Sequence, residues 1–209
     1  MRASERDEAA RAAWWERVSG IEPERFVWVD ETGSNLGMTP RYSRAPRGQR
    51  AVGSAPRNRG VNRTLVTSLS LEGAGPGLVL EGALNTAAFD AYVHHVLAPT
   101  LRAGQIVVLD NLSAHHGERA RAAIEARRAE LWFLPAYSPD LNPIEEAFSK
   151  LKELLRRAAA RTHEALTEAI WAGLRAITAQ DARGWVDHAG YRPRPRRSRR
   201  RAQPRQAAA

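Results

Sequence analysis

Residues 105–110 read QIVVLD, a short run of aliphatic and mostly β-branched side chains that stops at an acid. A continuous apolar run of this length is typical of a strand that is buried on both faces, as in a parallel sheet. Residues 25–30, RFVWVD, repeat the pattern and again stop at an aspartate. The two segments therefore predict two buried strands whose final residues are Asp30 and Asp110.

The rest of the chain alternates between strand and helix patterns around these two segments. The predicted strands are residues 25–30, 61–71, 77–84, 105–110 and 131–134, and the predicted helices are residues 5–18, 86–101, 113–130, 143–160, 163–177 and 182–188. Three strands in succession, followed by strands separated by helices, predict an α/β fold with a five-stranded mixed sheet flanked by helices.

The first and fourth strands of such a sheet can lie side by side and parallel, which would bring Asp30 and Asp110 into one crevice. Two nearby carboxylates repel each other unless they are protonated or share a cation, and Mg²⁺ or Mn²⁺ suits hard oxygen ligands. A third acid is expected from the helix that begins at Pro143, where Glu145 and Glu146 are the candidates. The pattern therefore predicts a carboxylate site for a divalent metal.

Both parts of this site also have a structural explanation. Asn142 as the N-cap, Pro143 at the first helical position and Glu145 at the third would form a capping box, which explains the glutamate without catalysis. An acid also commonly ends a strand, which would account for either aspartate alone. Spacing by itself leaves the metal site and the structural interpretation open.

Length and composition exclude several classes of protein. The chain has 209 residues, which fits one domain of ordinary size with or without tails. It contains no cysteine, which excludes a disulfide framework, a thiolate nucleophile and a Cys-ligated metal site. No run of 18 or more apolar residues is present, and the N-terminus has charges where a secretory signal has its apolar core. A protein that is not exported is therefore expected.

Positive charge is concentrated in two parts of the chain. The net charge is +9, and residues 192–209 contain eight arginines and no acid, so the rest of the chain is close to neutral. Prolines between these arginines predict a disordered tail, which either contacts nucleic-acid phosphates or is merely solvated. A second basic stretch, between Gly33 and Leu71, contains no acid. Nucleic-acid contact is predicted for its seven arginines, which are Arg41, Arg44, Arg47, Arg50, Arg57, Arg59 and Arg63.

Three blocks of the sequence resemble the catalytic blocks of one enzyme family. They are VWVDET (residues 27–32), VLDNLSAHH (108–116) and AYSPDLNPIEEAFSKLK (136–152), and 34 residues separate Asp110 from Glu145. In order and spacing the blocks resemble those of the mariner superfamily of transposases, particularly its bacterial insertion-sequence branch. The resemblance covers residues 5 to about 191. It implies the ribonuclease-H-like fold of retroviral integrases.

The resemblance also implies roles for individual side chains. Asp30, Asp110 and Glu145 would be the catalytic acids and would bind two Mg²⁺ ions, or Mn²⁺ as a substitute, with Asp30 between the ions. Asn111 and His115 match the family's pattern of Asp-Asn followed by a His. They would orient a metal ligand or contact the DNA backbone.

Other residues in these blocks are expected to lie outside the metal site. Glu146 is expected to face away from it, and Asp140 to shape the loop before the helix. Glu31 is expected to form a salt bridge with local arginines. His116 has no match in the family pattern and is expected to face the solvent.

The implied activity is that of a DDE transposase, which cuts DNA at the ends of a mobile element and joins the freed 3′-hydroxyls to target DNA. Residues 1–20 would be a linker helix, residues 21–191 the catalytic domain and residues 192–209 the disordered tail. The helix-turn-helix region that recognises element ends is not predicted, so an upstream-frame protein would supply it. The enzyme would act on DNA as a homodimer, in the cytoplasm and associated with the nucleoid. The alternatives are a related nuclease of the same fold and a non-catalytic, basic nucleic-acid-binding remnant.

Overall fold

The computed structural model describes residues 5–112 and 115–192. Its strands are β1 (Phe26–Ser34), β2 (Arg63–Ser70), β3 (Gly73–Ala74), β4 (Leu78–Glu81), β5 (Ile106–Leu109) and β6 (Glu130–Phe133). Its helices are α1 (Glu8–Val18), α2 (Thr86–Tyr92), α3 (Glu118–Glu125), α4 (Ile144–Ala158), α5 (His163–Arg175) and α6 (Ala179–His188). The predicted tail lies outside the described residues except for Arg192, whose Nε lies 3.1 Å from Oδ1 of Asp187.

The strands form one mixed sheet in the order β3-β2-β1-β5-β6, with β4 also paired to β2. β1 is antiparallel to β2 and parallel to β5, and β5 is parallel to β6. The predicted neighbours are therefore adjacent and parallel at the centre of the sheet. The described residues contain six strands rather than the predicted five, because β3 pairs with the end of β2 while β4 pairs with its beginning.

Helices cover both faces of the sheet, and this explains the two continuous apolar runs. Trp28 and Val108 point to one face, where they share an apolar cluster with residues of α1, α4, α5 and α6. Val29 and Val107 point to the other face and share a cluster with residues of α2 and α3. Because successive strand residues alternate between faces, a strand that is covered on both sides needs apolar residues at every position.

Two of the predicted helices are shorter in the structure than expected. The helix expected over residues 86–101 is regular only in α2, and a π-helical turn (Val93–Leu97) and a 3₁₀ turn (Ala98–Thr100) follow it. Pro99 lacks the N–H group that an α-helical hydrogen bond requires at that position. The helix expected from residue 113 begins only at Glu118, after Gly117 at the N-cap.

The first helix packs directly against the sheet domain. Trp14 of α1 is buried in the same cluster as Trp28, and its Nε1 donates a hydrogen bond to Oη of Tyr191 at 3.1 Å. This contact joins the beginning and the end of the described chain. Within residues 5–112 and 115–192, the structure contains no helix with the length and apolar character that a membrane span requires.

Candidate active site

The register of β1 and β5 brings the two predicted aspartates to the same level of the sheet. The last paired residues are Trp28 and Val108, and Asp30 and Asp110 each follow two residues later. Asp110, which was predicted to be the last residue of its strand, directly follows β5, which ends at Leu109. Asp30, however, lies within β1, which continues along β2 as far as Ser34. The prediction that β1 ends at Asp30 was wrong, because antiparallel pairing with β2 supports the strand after β5 has ended.

Asp30 is almost fully buried, with 7% of its surface exposed. Its Oδ1 accepts a hydrogen bond from the backbone N–H of Glu31 at 2.7 Å, and its Oδ2 accepts one from Nδ2 of Asn142 at 2.9 Å. Burial raises the pKa of Asp30 to about 8, against the effect of the Glu31 N–H group. This value includes the effect of the negative charges of Asp110, Glu31 and Glu145, which also raise the pKa. The metal-free site therefore favours the protonated carboxyl group.

Asp110 is held by the chain that follows it. Its Oδ1 accepts a hydrogen bond from the backbone N–H of Leu112 at 3.2 Å and lies 2.6 Å from Nδ1 of His115. The imidazole of His115 is fully buried, and its Nε2 lies 3.1 Å from Oε2 of Glu31. Burial lowers the pKa of His115, but Asp110 and Glu31 outweigh burial and raise the pKa to about 9.

This arrangement corrects the expected partner of Glu31. The predicted salt bridge with local arginines was wrong, since Glu31 lies beside His115 instead. His115 is thus positively charged and lies between Glu31 and Asp110, two acids that are 79 residues apart in the sequence. The structure places His115 against a candidate metal ligand, and not on the surface where DNA would contact it.

Glu145 lies in the first turn of α4 and is exposed. It lines an open cavity of about 450 Å³ together with Asp30, Asp110, Asn111 and Asn142. Glu146, the other candidate, does not line this cavity and forms a short hydrogen bond with Nδ1 of His188. The geometry thus brings the three predicted acids to one cavity and turns the neighbouring glutamate away from it.

The capping box predicted at the start of α4 was wrong. The helix begins with Pro143 at the N-cap position, and no side chain caps it. Asn142 is buried, and its side chain donates to Asp30 rather than accepting a helix N–H group. The pattern Asn-Pro-x-Glu is locally suited to capping, but a buried carboxylate 112 residues away takes the amide. Sequence analysis therefore missed Asn142 as a residue of the site.

The loop before α4 is anchored by residues from both ends of the described chain. Arg11 of α1 donates two hydrogen bonds to the carboxylate of Asp140, from Nη1 at 3.0 Å and from Nη2 at 2.6 Å. Oη of Tyr191 donates to the backbone carbonyl of Leu141 at 2.8 Å. Asp140 shapes this loop, as expected, through a partner that the sequence did not reveal.

The residues of the cavity offer the oxygen donors that Mg²⁺ and Mn²⁺ prefer. In the described ranges, however, no group of three His, Asp or Glu side chains is arranged so that it could hold a metal ion. Asp30 and Asp110 are held by Asn142 and His115, whereas Glu145 lies on the exposed side of the cavity. The donor chemistry fits a divalent cation, and joint coordination by all three acids requires their side chains to move closer together.

The predicted nucleic-acid contacts lie in two different settings. Six of the seven arginines are exposed on the segment between β1 and β2, and Arg63 begins β2 and pairs with Glu81 at 2.9 Å. Arg161 tethers this segment by donating to the backbone carbonyls of Leu36, Met38 and Ser54. The exposed Asn111 is hydrogen-bonded through Oδ1 to Nε2 of His116 at 2.9 Å, and His116 is exposed, as expected.

Solved structures similar to this chain include those of the Mos1 transposase. The chain resembles the Mos1 strand transfer complex with a TM-score of 0.67 and 21% sequence identity, which covers 86% of this chain and 56% of that one. It resembles the Mos1 mariner paired-end complex with Mn with a TM-score of 0.63 and 20% identity, covering 90% and 62%. For the catalytic domain of the Mos1 mariner transposase, the TM-score is 0.52 and the identity 16%, covering 91% and 96%.

These similarities confirm the predicted ribonuclease-H-like fold. The chain spans less than two thirds of the Mos1 chains in the strand transfer and paired-end complexes. No curated protein sequence matches it significantly. The family model described as "DDE superfamily endonuclease" matches residues 25–167, which include Asp30, Asp110 and Glu145. The chain therefore belongs to the DDE superfamily of endonucleases.

Proposed function

We propose that the chain is the catalytic domain of a DNA transposase, which cleaves DNA strands in a metal-dependent reaction and transfers them to a target. One observation carries the proposal. Asp30 and Asp110 lie at equivalent positions of the parallel neighbours β1 and β5, two residues beyond the last pair, and Glu145 lines the same cavity. Membership of an endonuclease family supports the cleavage step. Similarity in fold to a strand transfer complex supports the transfer step.

Asp30, Asp110 and Glu145 would hold the metal, which we propose to be two Mg²⁺ ions, with Mn²⁺ as a substitute. Mos1 structures with Mg and with Mn support this choice. Bound ions of this kind activate a water or a 3′-hydroxyl as the nucleophile and stabilise the leaving oxygen of an in-line displacement. A bound cation would also offset the negative charges of Asp110, Glu31 and Glu145, which add to the effect of burial in raising the pKa of Asp30.

The protein groups around the acids prepare the cavity for a phosphodiester. Buried His115 lies 2.6 Å from Asp110 on one side and 3.1 Å from Glu31 on the other, and these two contacts restrict the rotation of both carboxylates. Its positive charge offsets part of the negative charge that would otherwise repel a phosphate. The cavity is open to solvent, which leaves room for a DNA strand to reach the carboxylates.

DNA is the proposed substrate, and the exposed arginines between β1 and β2 are its proposed contacts. Arginine side chains that neutralise phosphates add affinity without reading the sequence. A homodimer on paired element ends is proposed, with support from the similarity to a paired-end complex. We also propose that a separate helix-turn-helix protein recognises the element ends. The chain would belong to the bacterial insertion-sequence branch of the family and would act at the nucleoid.

The test is Mg²⁺-dependent nicking of plasmid DNA by the purified chain and by variants of the three acids. We expect Asp30→Asn, Asp110→Asn and Glu145→Gln to reduce nicking to the background, because each loses a negatively charged oxygen ligand while its size is kept. Glu146→Gln is the matched control, since it changes the neighbouring acid that pairs with His188 outside the cavity. Circular dichroism would establish that each variant is folded.

Nicking by Asp110→Asn at the wild-type rate would refute the mechanism. An inactive Glu146→Gln beside an active Glu145→Gln would show that the wrong glutamate has been assigned. A wild-type chain that binds DNA but neither nicks nor joins it would support the non-catalytic remnant instead. Preferential cutting of RNA in hybrids, or of branched DNA, would support the related nuclease.

A further inference from the structure

Asn142 contacts two of the three acids at once. Its Nδ2 donates a hydrogen bond to Oδ2 of Asp30 at 2.9 Å, and its backbone carbonyl accepts the N–H of Glu145 at 3.2 Å. The side chain is buried, with 4% of the residue exposed, and it lines the cavity. One residue therefore joins the buried acid on β1 to the helix turn that carries Glu145.

The amide of Asn142 serves Asp30 and not the helix. Its Oδ1, the atom that would cap α4, is buried and accepts no hydrogen bond from any residue that the structure describes. A buried polar atom without a partner is uncommon and destabilises the folded state. Capping of α4 would have used Oδ1, which is unpaired, whereas Nδ2 is hydrogen-bonded to Asp30. The side chain is therefore oriented to bind Asp30 and not to stabilise its own helix.

Hydrogen bonds to Asn142 and to the two residues before it hold the backbone that carries this amide. The N–H of Asn142 donates to the carbonyl of Pro139 at 2.9 Å, and Tyr191 holds the carbonyl of the preceding Leu141. Arg11 holds the side chain of Asp140 in the same turn. Because the backbone around Asn142 is held in place, its side-chain amide cannot move with the Asp30 carboxylate. The hydrogen bond from the amide therefore restricts rotation of that carboxylate.

We propose that Asn142 is a positioning residue of the active site, which orients the Asp30 carboxylate for Mg²⁺ and sets the place of Glu145. This inference rests on the function proposed above. Without the amide, Oδ1 of Asp30 keeps the Glu31 N–H group, but Oδ2 loses its hydrogen bond to Asn142 and is free to turn. Groups that hold a metal ligand in this way typically contribute a factor of about 10 to 100 in metal affinity or activity.

The experiment measures the Mg²⁺ concentration that gives half-maximal nicking, and the Mg²⁺ dissociation constant by calorimetry, for Asn142→Ala. We expect both values to rise about 10-fold to 100-fold. Asn142→Leu keeps the branched shape without donor or acceptor, and it decides the question if the alanine variant does not fold. Asn85→Ala is the matched control, because it also removes an asparagine side-chain hydrogen bond, to Ala88 at the start of α2, outside the cavity. We expect this control to keep wild-type values.

A spectroscopic measurement tests the contact without activity. In the wild-type protein the side-chain amide protons of Asn142 should exchange slowly with water, and Asp30→Ala should abolish this protection. Rapid exchange in the wild type, or a wild-type Mg²⁺ response in a folded Asn142 variant, would overturn the inference about Asn142. The proposed function would still stand in that case if the wild-type protein nicked DNA. A wild-type chain that neither binds Mg²⁺ nor nicks DNA would overturn both.

Discussion

The ion pair between Arg11 and Asp140 predicts an unequal response when either charge is removed. The side chain of Arg11 is 8% exposed, whereas that of Asp140 is 51% exposed. Removal of Asp140 leaves a buried guanidinium without its main partner. Removal of Arg11 leaves a carboxylate that water reaches easily. The variant that lacks the aspartate should therefore be the less stable one, although the same two hydrogen bonds are absent from both.

The magnitude follows from the burial of each partner. Removal of one partner from a fully buried pair costs about 3–5 kcal/mol, and an exposed pair contributes about 0.2–1 kcal/mol. This pair is half-buried, and secondary contacts at 3.7 Å compensate in both directions, from Glu8 to Arg11 and from Arg6 to Asp140. We expect the free energy of unfolding to fall by about 2 kcal/mol in Asp140→Ala and about 1 kcal/mol in Arg11→Met.

Urea denaturation at pH 7 provides the measurement, with Arg121→Met as the control. Arg121 forms an exposed pair with Glu125 one turn away, and its removal should change the unfolding free energy by less than about 0.5 kcal/mol. Equal decreases in Arg11→Met and Asp140→Ala, or a larger decrease in Arg11→Met, would refute the argument from burial.

Acidification tests the same pair independently. Burial opposes the shift, but Arg11 and Arg6 hold the pKa of Asp140 below its usual value. A carboxyl group whose pKa is lowered by folding stabilises the protein above its unfolded pKa, near 4, and this contribution disappears as the pH falls through the folded value. The difference between wild type and Asp140→Ala should therefore shrink below about pH 4, and a constant difference would contradict the assignment.

Three further outcomes are expected. In metal-free protein, the unfolding free energy should decline as the pH rises, by up to about 1.4 kcal/mol per pH unit for each group. Folding raises the pKa of Asp30 to about 8 and that of His115 to about 9, so the decline spans about pH 4 to 8 for the first and about pH 6.5 to 9 for the second. A flat profile in urea titrations would contradict these shifts. Deletion of residues 192–209 should reduce the log-log salt dependence of binding to random duplex DNA by about 0.9 for each phosphate that the tail neutralises, as followed by fluorescence anisotropy. An unchanged slope would mean that the tail is only solvated. The triple substitution of Arg44, Arg47 and Arg50 by Gln should weaken binding equally for all DNA sequences, and a sequence-dependent decrease in competition assays would assign base readout to this segment.

The central strands and the level of the two aspartates could be predicted from the sequence. The apolar runs that end at Asp30 and Asp110 must be covered on both faces, and helices supply that cover in chain order. The start of α4 could be predicted as well, because Pro143 and the following glutamates mark a helix start. These features depend on residues that are close in sequence, so a local pattern contains the information.

The partners of the acids were decided only by the tertiary structure. Local pattern paired Asn142 with its own helix and Glu31 with nearby arginines, yet the fold pairs them with Asp30 and His115, 112 and 84 residues away. Similarly, Arg11 reaches the turn before α4 across 129 residues. A buried polar or charged side chain must be paired, and the packing of distant segments determines which partner lies beside it. The sequence therefore determined where the acids lie, whereas tertiary contacts determined which groups hold them.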